Sequence, residues 1–186
     1  MKSKEEVPDS YHLLSRHYGV LRELIVDNAT ELVGGKFHRL VTNSGARLRS
    51  VEPYTPFRNK AEDGVRELKR MYKNATRKTG SPAAVWNHCM VVQVKIRSHT
   101  ALGLYTLIDE VPHTMLQGDT SDISVLTEHG WWDWVWYINP VSDDIENRSL
   151  GKWLGPSDDV GQAMCSKILT IKARVLHHSS VFSLIK

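Results

Sequence analysis

The segment "RELIVDNATEL" carries an apolar run, Leu24-Ile25-Val26, that ends abruptly on Asp27 and Asn28. An acid at the tip of a strand built for a core has two readings. Asp-Asn ends the strand and opens a turn, or the strand holds a carboxylate rigidly where chemistry takes place. A second acid, Glu62, follows with 34 residues between the two, at the head of a strongly helical stretch. Two carboxylates on separate elements are hard oxygen donors suited to Mg²⁺, with coordination positions left for water and phosphate. A pair of such ions stabilises both the attacking and the leaving oxygen of a phosphoryl transfer, and building that site calls for a third acid on a neighbouring element.

The stretch that carries Glu62, "NKAEDGVRELKRMYKNATRKTG", is the clearest helix in the chain. At about 3.6 residues per turn, Ala61, Val65, Leu68, Tyr72 and Ala75 fall on one face, and Gly80 closes the helix. Glu62, Arg66, Lys69, Arg70, Lys73 and Arg77 gather on another face, roughly 100° or more away. That face is either a solvated one with a Glu62–Arg66 pair or a ridge of cations for phosphate backbones, which supply much of a DNA affinity.

These residues need elements to position them. "PDSYHLLSRHYG" reads as a helix begun by Pro8 and Asp9 and stopped by Gly19, "LRELIVDNA" as a strand, "GGKFHRLVTNSG" as a short helix and "RLRSVEP" as a strand. That order predicts an α/β domain. In "SPAAVWNHCMVVQVKIRSHT", Val85, Cys89, Val92 and Ile96 fit a helix, and the length favours one over a strand, although the β-branched content keeps both open. Residues 100–130 read as loop. "GWWDWVWYINP" reads as a strand apolar on nearly both faces, fitting a core strand; a ring platform for stacking bases or sugars is the alternative. Residues 141–149 read as a polar linker, and "LGKWLGP", "AMCSKILT" and "RVLHHSSVFSL" as short strands of a small β-domain.

Composition bounds the function classes. In 186 residues, 41% hydrophobic and 24% charged, there is material for a packed core and no signature of disorder. A net charge of +3 and a pI of about 8.8 are compatible with nucleic acid as a partner. Cys89 and Cys165 form no CxxC pair and the nine histidines are scattered, so neither zinc nor a disulfide framework is expected. The polar start and the lack of a long apolar run lead to the expectation of a soluble, intracellular chain with no membrane partner.

The residues also match a known family. "VDNATEL" resembles the DN-x-TE segment of retroviral-type integrases, and "PYTPFRNKAEDGVRELKR" the stretch of the same domain that carries its catalytic glutamate. "VWNHC", "KIRSHTA", "VPHTMLQGDTSDIS", "GWWDWVWY" and "LGKWLGPSDDVGQAM" follow in the order of copia-type retrotransposon polyproteins, so the resemblance runs from about residue 7 to 184. It implies a ribonuclease-H-like fold in which Asp27 and Glu62 are the second and third acids of a DDE triad, binding Mg²⁺ or Mn²⁺ while a DNA 3′-hydroxyl attacks a phosphodiester. Asn28 and Asn59 match motif positions near that site and Lys69 a basic position on its catalytic helix, which implies that they orient the acids or touch DNA. The helical stripe adds Arg66, Arg70, Lys73 and Arg77 as expected DNA contacts, and a homo-oligomer, in a nucleus if the source is eukaryotic, is consistent with that family.

The sequence departs from the family in three ways. The first Asp, on a strand well upstream in the family, has no counterpart in 1–26, where Asp9 reads as a helix cap. The glycine before the glutamate is replaced, with Lys60 in that region. The His/Cys zinc domain is not present. The expectation is therefore a truncated integrase core over 1–140, a linker over 141–149 and a β-module over 150–186. By descent it is a DNA-integration enzyme, inactive alone. The alternatives are a non-catalytic nucleic-acid-binding or assembly remnant, and a decayed copy with no selected function.

Overall fold

The computed structural model describes residues 7–52, 60–103, 109–120, 122–138, 148–158, 160 and 164–184. They form a mixed α/β structure of two compact units, one running to Val65 and the other from Arg66.

In the first unit, α1 (Val7–Tyr18) is followed by β1 (Glu23–Val26), α2 (Thr30–Val33), α3 (Gly35–Asn43) and β2 (Arg47–Ser50). The two strands pair in parallel, Glu23 opposite Arg47 and Val26 opposite Ser50. A parallel pair needs a crossover, and the two helices between the strands provide it. The alternation of "ELIV" sends Leu24 and Val26 to one face, where they pack with Leu48 against Tyr11, Phe37 and Val41. The other face carries Glu23, Ile25, Arg47 and Arg49, and Ile25 is 57% exposed. The Glu23 carboxylate lies 3.9 Å from Arg47 and 3.6 Å from Arg49. The expected helix–strand–helix–strand order is present, with α2 as an added short helix.

The second unit is built around a five-stranded antiparallel sheet. Its strands are β3 (Trp134–Ile138), β4 (Arg148–Pro156), β5 (Ser166–Thr170), β6 (Val175–His178) and β7 (Val181–Ser183), in the order β6-β5-β4-β3-β7. The Trp-rich strand therefore pairs with β4 and β7, and the boundary expected at residue 140 falls between hydrogen-bonded neighbours. The expected linker lies outside the described residues up to 147, and Arg148 already belongs to β4.

One face of this sheet is covered by α5 (Trp86–Ser98), which follows a short 3-10 turn, Ala83–Val85. Val85, Cys89 and Val92 of this helical stretch bury against Val135, Tyr137, Trp153, Ile168 and Val181, with Ile96 partly buried beside them. This is the helical spacing of the sequence, realised. Two buried indoles have their N–H groups satisfied, Trp131 donating to Ser81 Oγ at 3.0 Å and Trp153 to Ser166 Oγ at 3.1 Å. Helix and sheet come close at Gly155, where a Cβ would sit 2.4 Å from Val92 Cγ2. The stretch expected as loop contains two short helices, α6 (Pro112–Gln117) and α7 (Ser124–Glu128). At six and five residues they are too short for an apolar period to show.

The long helix α4 (Lys60–Thr79) matches its expected span, and Gly80 ends it at a φ of 66°. Its apolar face is used only in part. Tyr72 and Ala75 pack on the core of the second unit, whereas Val65 is 47% exposed.

Candidate nucleic-acid interface

Asp27 follows β1 directly, so the strand delivers its backbone to the tip of the parallel pair. Its Oδ1 accepts the Ala29 N–H at 3.2 Å, the short-range turn bond that Asp favours. Asn28 turns the other way, its Nδ2 donating to the Val51 carbonyl at 2.7 Å. Val51 N–H in turn reaches the Val26 carbonyl at 2.9 Å. The two strand ends are thus clamped at the level of Asp27, and Asn28 is the side chain that closes the clamp. Asn59 lies outside the described residues.

Glu62 stands in the first turn of α4 beside Asp63, where negative side chains complement the helix dipole. As donors, Asp27 and Glu62 are of the right kind for Mg²⁺ or Mn²⁺. As a set they fall short: among the described residues no three of His, Cys, Asp and Glu group to hold a metal ion.

The cations behind Glu62 are all at the surface. Arg66, Lys69, Arg70, Lys73 and Arg77 are exposed, as is Lys78. They are not equivalent. Arg70 makes a two-pronged pair with Glu67, Nε to Oε2 at 2.8 Å and a terminal nitrogen to Oε1 at 2.6 Å. The guanidinium holds the Glu67 carboxyl below its usual range, and its own proton is bound more tightly in return. Glu67 shares the helix with the stripe and offsets part of its field. The ridge that can meet a phosphate backbone is therefore led by Lys69, Lys73 and Arg77, with Arg70 already engaged.

No family model and no curated protein matches the chain. Solved structures do match. One is the cryo-electron-microscopy structure of the simian T-cell lymphotropic virus intasome in complex with the PP2A regulatory subunit B56 gamma, with a TM-score of 0.50 and 12% identity. This chain is similar in fold to a chain of that intasome. The match covers 100% of this chain and 66% of that one, so the chain spans just under two thirds of its neighbour's length. The likeness is one of fold, and it takes in both units. No described helix is long and apolar enough to cross a membrane.

A second cluster escaped the reading of single residues. On the sheet face away from α5, the Lys152 ammonium lies 4.0 Å from the centre of the Trp134 ring and 5.5 Å from that of Trp132. Its Nζ donates to the Trp132 carbonyl at 3.0 Å. Burial lowers the lysine's affinity for its proton, against the opposing pull of Asp133. Across the strand, the Arg148 guanidinium lies 5.3 Å from the Phe182 ring centre. The alternation of Arg148, Leu150 and Lys152 in the sequence was the signal for this face. It stayed hidden because the sequence does not show that this strand pairs with the Trp-rich one.

Proposed function

We propose that this chain is an integrase-like segment of a retroelement that binds DNA through the exposed basic face of α4, with Asp27 and Glu62 as two carboxylates of an incomplete DDE site. The observation that carries the reading is one 20-residue helix that opens on Glu62 and continues as an exposed ridge of cations. The clamp of Asn28 on Val51, which fixes the strand tip holding Asp27, supports it. So do the order of the copia-type motifs and the fold shared with the intasome chain.

In this reading the N-terminal unit is part of a ribonuclease-H-like domain. A third carboxylate, supplied from outside residues 1–186, completes the Mg²⁺ or Mn²⁺ site. The bound ions would supply charge compensation at the reacting phosphate. The residues in hand position two acids and seat the DNA. With two acids alone, the chain is expected to show no strand transfer and no 3′-end processing.

Two measurements test this. Strand transfer is assayed with Mg²⁺ and with Mn²⁺ alongside a Glu62→Gln control. Activity that vanishes in the control would overturn the incomplete-site reading and mean that another acid, Asp9 or Glu31, or a second subunit, completes it. Duplex binding is measured across salt for the chain and for a Lys69→Glu, Arg70→Glu, Lys73→Glu variant. The variant should bind more weakly whatever the sequence, with a flatter salt dependence. An unchanged slope would show α4 to be a solvated face only. Binding without metal-dependent chemistry in every combination, including one with the missing segment supplied from an intact integrase, would favour the alternative of a non-catalytic nucleic-acid-binding or assembly role.

A further inference from the structure

The five strands of the second unit contain three cations besides histidine, Arg148, Lys152 and Lys167, and not one Asp or Glu. Register places the side chains. Trp134 stands opposite Lys152, Trp136 opposite Leu150 and Phe182, and Ile138 opposite Arg148. Directly opposed residues share a face of an antiparallel sheet. The intervening Val135 and Tyr137 point into the core beneath α5. The outer face is thus a row of rings bordered by cations, and it stays open. Trp134 is 46% and Phe182 44% exposed in the structure.

We infer that this face binds single-stranded nucleic acid, with unpaired bases stacking on Trp134 and Phe182 while Lys152 and Arg148 meet the phosphates. The inference deepens the DNA-binding reading by giving the chain a second surface of different chemistry. The α4 ridge offers charge without rings and suits any phosphate backbone, duplex included. The sheet face offers rings, which a duplex cannot use because its bases are already stacked, and which a single strand can.

The occupant follows from charge and ring together. A second copy of the same face would set Arg148 and Lys152 against their own likeness. An acidic peptide would satisfy the cations and leave two large rings unmatched. A strand of unpaired nucleotides supplies a negative backbone and flat apolar faces at once. Lys152 lies over the Trp134 ring and Arg148 over the Phe182 ring, so a stacking base takes the other face of the ring or displaces the cation, which is then close enough to meet a flanking phosphate.

The test uses the full chain with a labelled oligo-thymidine strand of about 20 nucleotides, longer than one stacking platform spans, and a duplex of equal length. Trp134→Ala and Phe182→Ala should each weaken single-strand binding by about 5- to 100-fold and leave duplex binding within about twofold. Trp134→Phe, which keeps a ring, should retain most of the affinity and guards against a folding defect. The single strand should quench indole fluorescence, and less so in Trp134→Ala. The α4 triple variant should lose duplex binding, and adding Trp134→Ala to it should still lower the single-strand affinity that remains. Failure of one surface is then distinguishable from failure of the other. Equal loss on both nucleic acids, or no loss on either, would overturn the inference. So would a chain that sediments as a dimer and becomes a monomer in Trp134→Ala without change in single-strand affinity, which would assign the face to a second copy.

Discussion

Cys89 shows how much a single site depends on what covers it. Its side chain is fully buried between α5 and the sheet, and burial pushes the thiol up to about 11 from an ordinary 9.0. The fold therefore holds the thiol proton more tightly than the unfolded chain does. The stability this gives is complete below pH 9.0 and is lost as pH rises towards about 11, with a slope of up to about 1.4 kcal/mol per pH unit inside that window. Comparing urea unfolding of the chain with that of Cys89→Ala cancels the other groups that titrate there. The gap between the two should narrow across the window, and a gap that stays constant would show the thiol to be hydrated. At this scale the sequence was informative: the spacing of Val85, Cys89 and Val92 marked this site as interior. It could not show that Asn28 clamps Val51, because a bond between side chain and backbone 23 residues apart leaves no trace in composition.

At the scale of elements, α5 and β4 are held in close approach by the absence of one side chain. Gly155 has a φ of 118°, and a Cβ there would meet Val92 Cγ2 at 2.4 Å. Val92 is β-branched and buried, so it has little room to turn aside. Gly155→Ala should cost about 3 kcal/mol, from overpacking and backbone strain together. Adding Val92→Ala should cost less than the two changes summed, because it removes the clash and leaves the strain. Additive losses in a thermal or urea series would mean that the clash is absent. The helix α4 was legible by its period, and α5 by its length, since its β-branched content left helix and strand open on period. The sheet was not. Its strands are three to nine residues long, and their antiparallel partners lie across loops that carry no pairing signal. The Trp run, apolar on both sides, gave no clue to which side was the core. The exposed Val65 shows the converse, an apolar period that the described packing leaves partly unused.

For the molecule as a whole, the distribution of tryptophan is decisive. All six, at 86, 131, 132, 134, 136 and 153, lie in the second unit. The two apolar cores share no residue. Indole fluorescence therefore reports the second unit alone, whereas far-UV circular dichroism reports both. The two signals should not coincide in denaturant, and dichroism should begin to fall first, as the smaller core of α1, α3 and the two-stranded pair gives way. Coincident curves would show one cooperative transition. The same division explains what the sequence conveyed about the candidate site. Asp27 and Glu62 were identified by type, by position at a strand tip and a helix start, and by resemblance. The ligand that would complete the set belongs to the proposed reading and has no motif of its own in the sequence.

The parallel pair β1–β2 has a further consequence, one of colloidal behaviour. A strand edge is a template for unwanted pairing with a neighbouring molecule, and charge along it is a common safeguard. Here the charges are three, the carboxylate of Glu23 and the guanidinium groups of Arg47 and Arg49, on the face that also exposes Ile25. Exposed ion pairs of this kind fade as the Debye length shortens to a few ångströms near molar salt. Concentrated salt, the usual means of keeping a nucleic-acid-binding protein free of nucleic acid, would therefore weaken the charges that keep these strands from meeting their own kind.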